Sequence, residues 1–588
     1  MFKQKIKNFL NLKWEIEFFK KLSKTIEKFS ISEKVTFFFL CTVFIISGLN
    51  ILNQANKSFL IQVPTNGGTL KEGIIGSPRF VNPVLAISDV DHDLTSLVYS
   101  GLMKTMPDNS IATDMAESYQ ISEDGLEYTF TLKDNIYFQD GVKLTTDDIL
   151  FTIEKIQDST IKSPKRPNFY DVKVEKINEK QIVFTLKKPY FPFLQNLTIG
   201  ILPKHLWGDL NADQFSLSQY NVEPIGSGPY KINKMQTLQK KMLLIPTYYE
   251  LIPFNKYIFG KPFIDKLIIN FYSDEKALID GYNKGDIETL NSITPEKIAE
   301  LKLQNNATIK TTPLPRVFAV FFNENQSEII ANKEVRQALN IAIDRQKIVD
   351  EVLSGYGDPL YGPIPKGLID TDSANEQKFD LDKASSTLSK GGWIKNTGTG
   401  VWEKKIDKKK TIQLEISIST LNSPNLVKTA ELIKEDWEKL GAKVDIKQFE
   451  FGDLQQNIIR PRKFEALLYG EVVGRDMDLF AFWHSSQRND PGLNISMYAN
   501  SKVDTILESA RKTMDQEKRI SDYISFETEI QKDIPAIFLY SPEFIYIVPN
   551  KVYGLSIQTV AMPFERFLNI NNWYIETNNL WKIFQFTR

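Results

Sequence analysis

The stretch MAESYQISEDGLEYTFTLKDNIYFQDGVKLTTDDILFTIEKI, residues 115–156, carries the strongest structural signal in the chain. Within it, Tyr128, Phe130 and Leu132 alternate with threonines, and this period of two is typical of a strand buried on one face. An Asp-Gly pair on either side of the strand favours a turn, because glycine tolerates a positive φ. The stretch therefore predicts two successive strands that end in a tight turn.

Helices are indicated by capping residues and by apolar spacing. Thr145 and Asp148 have the spacing of a capping box, and isoleucines at helical intervals follow them. Similar spacing predicts one helix over residues 333–353 and another over residues 424–440. Residues 443–447 alternate as a strand directly after the second of these helices. This succession of helices and strands is expected on an open α/β sheet.

Composition narrows the possible functions. The chain has 588 residues, enough for several domains, and its net charge of -1 gives no overall attraction to nucleic acid. A single cysteine, Cys41, excludes an intrachain disulfide and a thiolate metal site. The three histidines are far apart in sequence: His92, His205 and His484. We therefore predict no metal, no cofactor and no nucleic-acid partner.

The amino-terminal region has the pattern of a membrane anchor. Residues 35–52 are predominantly apolar and uncharged, just long enough to span a bilayer, and an excess of lysines before them favours a cytoplasmic amino terminus. We predict a basic amphipathic segment at 1–34, a transmembrane signal anchor at 35–52, a polar tether at 53–66 and an extracytoplasmic remainder. A cleaved signal peptide is the main alternative, but the charged region is long and small residues are lacking at a cleavage site and before Cys41. A buried soluble helix is opposed by the lack of a polar stripe.

Five motifs in a fixed order point to one protein family. They are residues 97–102 (LVYSGL), the stretch 115–156, residues 224–231 (PIGSGPYK), residues 335–345 (VRQALNIAIDR) and the Gly-Trp and Gly-Val-Trp pairs within 392–402. Together they resemble the signature of solute-binding proteins of peptide-type ABC importers, family 5. No single motif is specific, but their order across nearly the whole outer chain identifies the chain as a member of that family.

The resemblance implies an architecture. We expect an α/β, two-lobed periplasmic-binding-protein type II (cluster C) fold with an extra strand-rich subdomain, preceded by one transmembrane helix. Lobe I would contain residues 62–275 and 540–588, with the extra subdomain at 89–208. Lobe II would contain residues 276–539. The protein is expected to be a monomer.

The resemblance also implies a function. The chain would be the extracytoplasmic component of an ABC importer, capturing oligopeptides between its lobes by hinge closure and delivering them to a permease and its ATPase. The chain has no P-loop, so energy for transport would come from that partner. A ligand sensor or chaperone on the same fold is an alternative. An extracytoplasmic hydrolase is disfavoured, since histidine is scarce and Gly226-Ser227-Gly228 is not a nucleophile elbow.

Candidate ligand-binding residues come from two parts of the chain. In the family, an opening turn lines the cleft, and an acidic residue in a later segment pairs with the amino terminus of a peptide. This chain departs from the family's usual Trp-x-x-Asp context in that segment, so Glu471 and Asp476 are both candidates for the acid. The full set of candidates is Ser77, Pro78, Arg79, Phe80, Tyr99, Tyr469, Glu471, Asp476 and Trp483. The structural alternatives are that Asp476 and Asp478 cap a helix and that Arg79 is an ordinary surface residue.

Overall fold

The structure is a computed structural model that describes residues 21, 24–240, 243–303, 306–369, 376–475 and 477–584. For residues 239, 240, 243, 244 and 584 it describes only the backbone. Most of the predicted amphipathic segment at 1–34 and the candidate Asp476 lie outside the described residues. The chain divides into two compact units, one formed by residues 1–65 and 577–588 and the other by residues 66–576.

The first unit contains one long helix, α1, Ile31–Phe59. Ser30 and Glu33 form a capping box at its start, and no residue of the helix is buried. Strand β1, Leu60–Thr65, follows without a break and pairs with the last strand of the chain, Glu576–Trp581. The structure thus differs from the predicted tether at 53–66, because the helix continues to Phe59 and a strand comes next.

The second unit contains the remaining elements. Its strands are β2 Thr69–Ile75, β3 Met103–Thr105, β4 Ile111–Thr113, β5 Ala116–Ile121, β6 Glu127–Leu132, β7 Lys173–Lys176, β8 Gln181–Thr185, β9 Tyr230–Lys240, β10 Leu243–Pro253, β11 Lys266–Tyr272, β12 Thr289–Leu290, β13 Ala307–Pro313, β14 Arg316–Phe322, β15 Gly357–Pro359, β16 Ile394–Lys395, β17 Trp402–Lys405, β18 Thr411–Gln413, β19 Glu415–Leu421, β20 Lys443–Phe449, β21 Ala466–Val472, β22 Ala536–Pro549 and β23 Glu576–Trp581, which runs into the first unit. Its α-helices are α2 Asp89–Val98, α3 Thr146–Gln157, α4 Arg166–Phe169, α5 Phe193–Asn196, α6 Lys204–Trp207, α7 Ala212–Leu217, α8 Glu275–Lys284, α9 Lys333–Ile341, α10 Arg345–Leu353, α11 Leu381–Lys390, α12 Pro424–Leu440, α13 Phe451–Asp453, α14 Phe480–Trp483, α15 Ser501–Lys512 and α16 Gln516–Asp533. A π-helical turn at Leu454–Ile459 and several short 3-10 turns, among them Pro563–Phe567, complete the unit.

Strand β22 joins two halves of one large sheet, whose order is β20-β19-β21-β14-β22-β12-β2-β11-β10-β9. Its first residues pair with β14 and β15, and its last residues pair with β13 and β12. The chain also crosses between the halves from β13 to β14, where the Leu314 amide donates to the carbonyl of Pro542 at 2.9 Å. Two neighbouring crossings of this kind form a natural hinge.

Strand pairing favours lobe boundaries that differ from the predicted ones. Because β12 and β13 pair with β2 and with the last residues of β22, residues 276–313 belong to the sheet of the first lobe. We therefore define lobe I as residues 66–313 and 542–576, and lobe II as residues 314–541, instead of starting lobe II at residue 276.

The stretch at 115–156 folds as predicted. It forms β5, β6 and then α3, whose start has both hydrogen bonds of the Thr145–Asp148 capping box. Tyr128 and Phe130 are fully buried, and a four-stranded sheet forms in the order β5-β6-β8-β7. Its side chains join a single apolar core with the adjoining face of lobe I. Lobe II has a core on each face of its half of the large sheet.

Candidate ligand-binding cleft

The carboxyl end of β21 lies where lobe II meets lobe I. In the register of β14 and β21, Arg316 is opposite Val472 and Val317 is opposite Glu471. The Val473 amide donates to the carbonyl of Pro315 at 2.9 Å, directly beside the crossing from β13. The loop that follows β21, residues 473–479, therefore starts at the hinge.

Glu471 is a buried acid without a partner in the described part of the chain. Its exposed fraction is 7%, and no hydrogen bond or charge from a described residue acts on its carboxyl group. Burial raises the pKa of this carboxyl well above its ordinary value of 4.5. An isolated buried carboxylate is costly, so a group of this kind at a hinge is a candidate for binding a cation from a ligand.

Arg475, four residues further on, reaches from lobe II into lobe I. Its Nε donates to Glu565 at 2.8 Å, and the exposed fractions of the two side chains are 3% and 7%. Its other nitrogens donate to Asn109 Oδ1 at 3.1 Å, to the carbonyl of Met106 at 3.4 Å and to the carbonyl of Thr559. One side chain thus contacts three separate segments of lobe I.

A second contact joins the lobes near Tyr190 and Phe191 of lobe I. The Phe191 amide donates to the carbonyl of Arg511 at 3.2 Å, and the guanidinium of Arg519 lies 3.8 Å from the centre of the Phe191 ring. The Tyr190 hydroxyl donates to Asp478 at 3.4 Å, and Asp478 also accepts from Arg511 at 2.7 Å. Asp478 is therefore part of the contact between the lobes, and it does not cap α14, the helix that begins two residues later and has no side-chain cap.

The opening turn at residues 77–80 is held by Asp91 of α2 and by Pro246 of β10. The amides of Arg79 and Phe80 both donate to Asp91 Oδ1 at 2.8 Å. The Ser77 hydroxyl donates to the carbonyl of Pro246 at 2.9 Å, and Pro78 is buried. Arg79 is exposed, and its guanidinium lies 4.8 Å from the centre of the Phe80 ring.

Tyr99 and Trp483, predicted as pocket residues, are core residues in the structure. Tyr99 has an exposed fraction of 4%, and its hydroxyl has no hydrogen-bond partner among the described residues. Trp483 has an exposed fraction of 1% and packs against aromatic side chains that include Phe321 and Phe538. Tyr469 is only partly buried, and its hydroxyl accepts from Gln455 at 2.8 Å. The assignment of Tyr99 and Trp483 as ligand contacts stays a prediction.

A buried charge network lies beside Glu565 in lobe I. Arg566 donates to both carboxylate oxygens of Asp93 at 2.7 Å and to Glu72 Oε1 at 3.0 Å. The Tyr546 hydroxyl also donates to Glu72, at 2.7 Å. Burial raises the pKa of Asp93 to about 6, although Arg566 opposes this shift. The network fixes the turn Pro563–Phe567 against β2 and α2, and so positions Glu565 for Arg475.

Sequence reasoning missed the residues that join the lobes. Arg475 stood in the segment that we singled out, but a lone arginine in a loop gives no indication of its partner. Glu565 lies ninety positions later in a short turn without a recognisable motif. Among the described residues, no group of three or more metal-ligating side chains is close enough to hold a metal ion.

The two lobes, the double crossing and the residues gathered at the hinge define a periplasmic-binding-protein fold. A sequence profile of the bacterial extracellular solute-binding proteins, family 5 (middle region), matches residues 110–503. This match covers more than half of the chain, so the chain belongs to that family and is a solute-binding protein, not an enzyme. The family resemblance and the fold class predicted from the sequence are confirmed.

Relatives cover nearly the whole outer part of the chain. The oligopeptide-binding protein AppA of Bacillus subtilis is 29% identical over 525 residues, which are 87% of this chain and 92% of AppA. The solved structure of NikZ from Campylobacter jejuni in complex with Ni(L-His) is 30% identical, with a TM-score of 0.65 over 86% of this chain and 99% of that one. The structure of B. subtilis AppA with a nonapeptide is 27% identical, with a TM-score of 0.64 over 87% of this chain and 100% of that one.

Proposed function

We propose that this protein is the extracytoplasmic peptide-binding component of an ABC importer, and that Glu471 holds the amino terminus of the peptide. The observation that carries this proposal is the buried carboxylate of Glu471 at the hinge, which has no partner among the residues that the structure describes. A peptide ammonium group would supply the missing opposite charge and would offset the cost of burying the carboxylate. The peptide complex of the relative AppA supports this ligand class.

Closure of the lobes would follow from the same geometry. Arg475 and Glu565 belong to different lobes, so their contact exists only when the lobes are together. Glu471 and Arg475 are four residues apart, along the end of β21 and the loop after it. A ligand bound at Glu471 would favour the closed state because it binds that state with greater affinity. Peptide main-chain groups would be held by hydrogen bonds that do not depend on the identity of the side chains, as in other peptide-binding proteins.

The closed protein would deliver its ligand to a permease and an ATPase, because the chain carries no nucleotide-binding motif of its own. Helix α1 would keep it at the membrane. This helix is 29 residues long, has a mean hydropathy of 2.3 over its most apolar part and has no buried residue. The lysine excess before it supports a cytoplasmic amino terminus, and the lobes would then lie outside.

Native mass spectrometry of the purified full chain, followed by denaturing release, tests the ligand class. We expect a ladder of short peptides from the wild-type protein and a strongly reduced ladder from the Glu471→Gln variant, which keeps the shape of the side chain but removes its charge. The matched control is Glu465→Gln, which changes an acid of lobe II that lies just before β21. A single non-peptide mass, such as a nickel–histidine complex, would refute the peptide assignment.

A further inference from the structure

The last strand of the chain ends beside the outer end of the membrane helix. Strand β23 pairs with β1, which directly follows α1. Trp581, the final residue of β23, stacks on Phe59, the final residue of α1, with ring centres 6.1 Å apart and an angle of 29° between the rings. The outer end of α1 and the end of β23 therefore meet at one level beyond the apolar part of the helix.

Apolar side chains at this level are exposed to an unusual degree. The exposed fractions are 59% for Phe59, 45% for Trp581 and 76% for Ile583. After Trp581 the backbone makes a 3-10 turn, Lys582–Phe584. Lys57 and Lys582 are exposed in the same region. An aromatic and aliphatic cluster flanked by lysines has the composition of a membrane–water interface.

The distance of this cluster from the apolar part of α1 also agrees with a position at the membrane–water interface. The apolar run of the helix ends at Leu52, seven residues before Phe59, so the rise of an α-helix places Phe59 about 10 Å beyond the run. The run at 35–52 is slightly shorter than a typical hydrocarbon core, which brings the bilayer surface closer to Phe59. Headgroups extend roughly 5–7 Å beyond the core on each side. Helical side chains tilt toward the amino-terminal end of their helix, so the ring of Phe59, on which Trp581 stacks, lies nearer to this layer than its backbone does.

We propose that Phe59, Trp581 and Ile583 form a second membrane contact, which lies in the headgroup layer of the extracytoplasmic leaflet. Trp581 and Ile583 would occupy the interface, and Lys57 and Lys582 would meet lipid phosphates. Strand β23 and the turn after it would thus be held at the bilayer surface by β1 and by lipid. This proposal rests on the proposed role of α1 as an anchor.

Quenching by spin-labelled lipid tests the proposal in the full-length chain. In a Cys41→Ser background, single cysteines replace Ile583, Ile45 or Leu217 and carry an environment-sensitive fluorophore. The variants are placed in nanodiscs of phosphatidylcholine and phosphatidylglycerol. Ile583 lies outside β23 and is exposed, so the label leaves strand pairing intact. Ile45 reports the middle of the helix, and Leu217, which is 84% exposed in the second unit, is the soluble control.

We expect a lipid spin label near the headgroup to quench the fluorophore at 583 more strongly than a lipid spin label deep in the acyl chains. The label at 45 should show the reverse order, and the label at 217 should respond to neither. If position 583 behaves like position 217 while position 45 is quenched, the helix is an anchor but the second contact is refuted. If position 45 is also unquenched, the anchor itself fails, and the second contact fails with it.

Discussion

Arg475 of lobe II and Glu565 of lobe I form an ion pair of 2.8 Å between the two lobes, and both side chains are buried. Their loops are far apart in sequence and meet only because β22 and the crossing from β13 to β14 bring the lobes together. The pair makes lobe closure depend on a specific contact and not only on apolar packing.

Replacing Arg475 by Met should shift the protein toward the open state. Removal of one partner from a buried pair costs about 3–5 kcal/mol, and the open state escapes this cost because it exposes Glu565 to water. We expect a larger radius of gyration in small-angle scattering without ligand and a weaker affinity for peptide. Arg475→Lys should recover only part of the closure, since an ammonium cannot make four contacts to separate segments. An unchanged scattering profile for Arg475→Met would contradict this prediction.

Replacing Glu471 by Gln should stabilise the protein without ligand. The pKa of Glu471 is raised in the folded state above its ordinary value of 4.5. The folded state therefore holds the proton more tightly, and folding stability is lost as the pH rises above the unfolded-state pKa toward the raised one. We expect Tm of the variant to equal that of the wild type at low pH and to exceed it increasingly above about pH 4.5. Equal melting temperatures at all pH values would indicate that Glu471 has a partner.

Replacing Arg566 by Met should destabilise lobe I. The change leaves Glu72 and Asp93 buried without a cation, a loss of roughly 3–5 kcal/mol in the free energy of unfolding. Urea unfolding followed by tryptophan fluorescence measures this loss. Arg460→Met, which removes an exposed arginine from the surface of lobe II, is the control and should cost much less. A variant as stable as the wild type would show that the network is not structurally important.

The helix α1 should remain part of the mature protein. We expect the intact mass of protein extracted from membranes to include residues 31–59, and we expect alkaline carbonate to leave the protein in the membrane pellet. The matched variant carries Leu40→Lys and Phe44→Lys, which place two charges within the span and should release the protein from the pellet. A mature protein that begins after residue 50 would show that the segment is a cleaved signal peptide.

Local patterns predicted the elements that local interactions determine. The strand at Tyr128 and the capped helix after Thr145 follow from alternation and capping, and both are present. Helix α12 likewise ends at Gly441, whose φ of 109° only glycine adopts readily.

Elements that depend on distant partners were predicted less well. The single helix expected at 333–353 is two helices, α9 and α10. Asp344 separates them, because its side chain accepts a hydrogen bond from the Lys347 amide and so caps the start of α10. Its own amide donates to Asp436 on α12, a contact that apolar spacing cannot reveal. The same reason explains why the sequence identified Glu471 but gave no indication of the Arg475–Glu565 pair.

Calorimetric titration with matched peptides tests the central claim most directly. The probes are a library of tripeptides with a free amino terminus and the same library with that terminus acetylated. If Glu471 binds the peptide ammonium, acetylation should weaken binding to the wild type by roughly 30-fold or more, as expected for a buried charge pair. The Glu471→Gln variant should bind both libraries equally weakly. Equal binding of free and acetylated peptides by the wild-type protein would contradict the account.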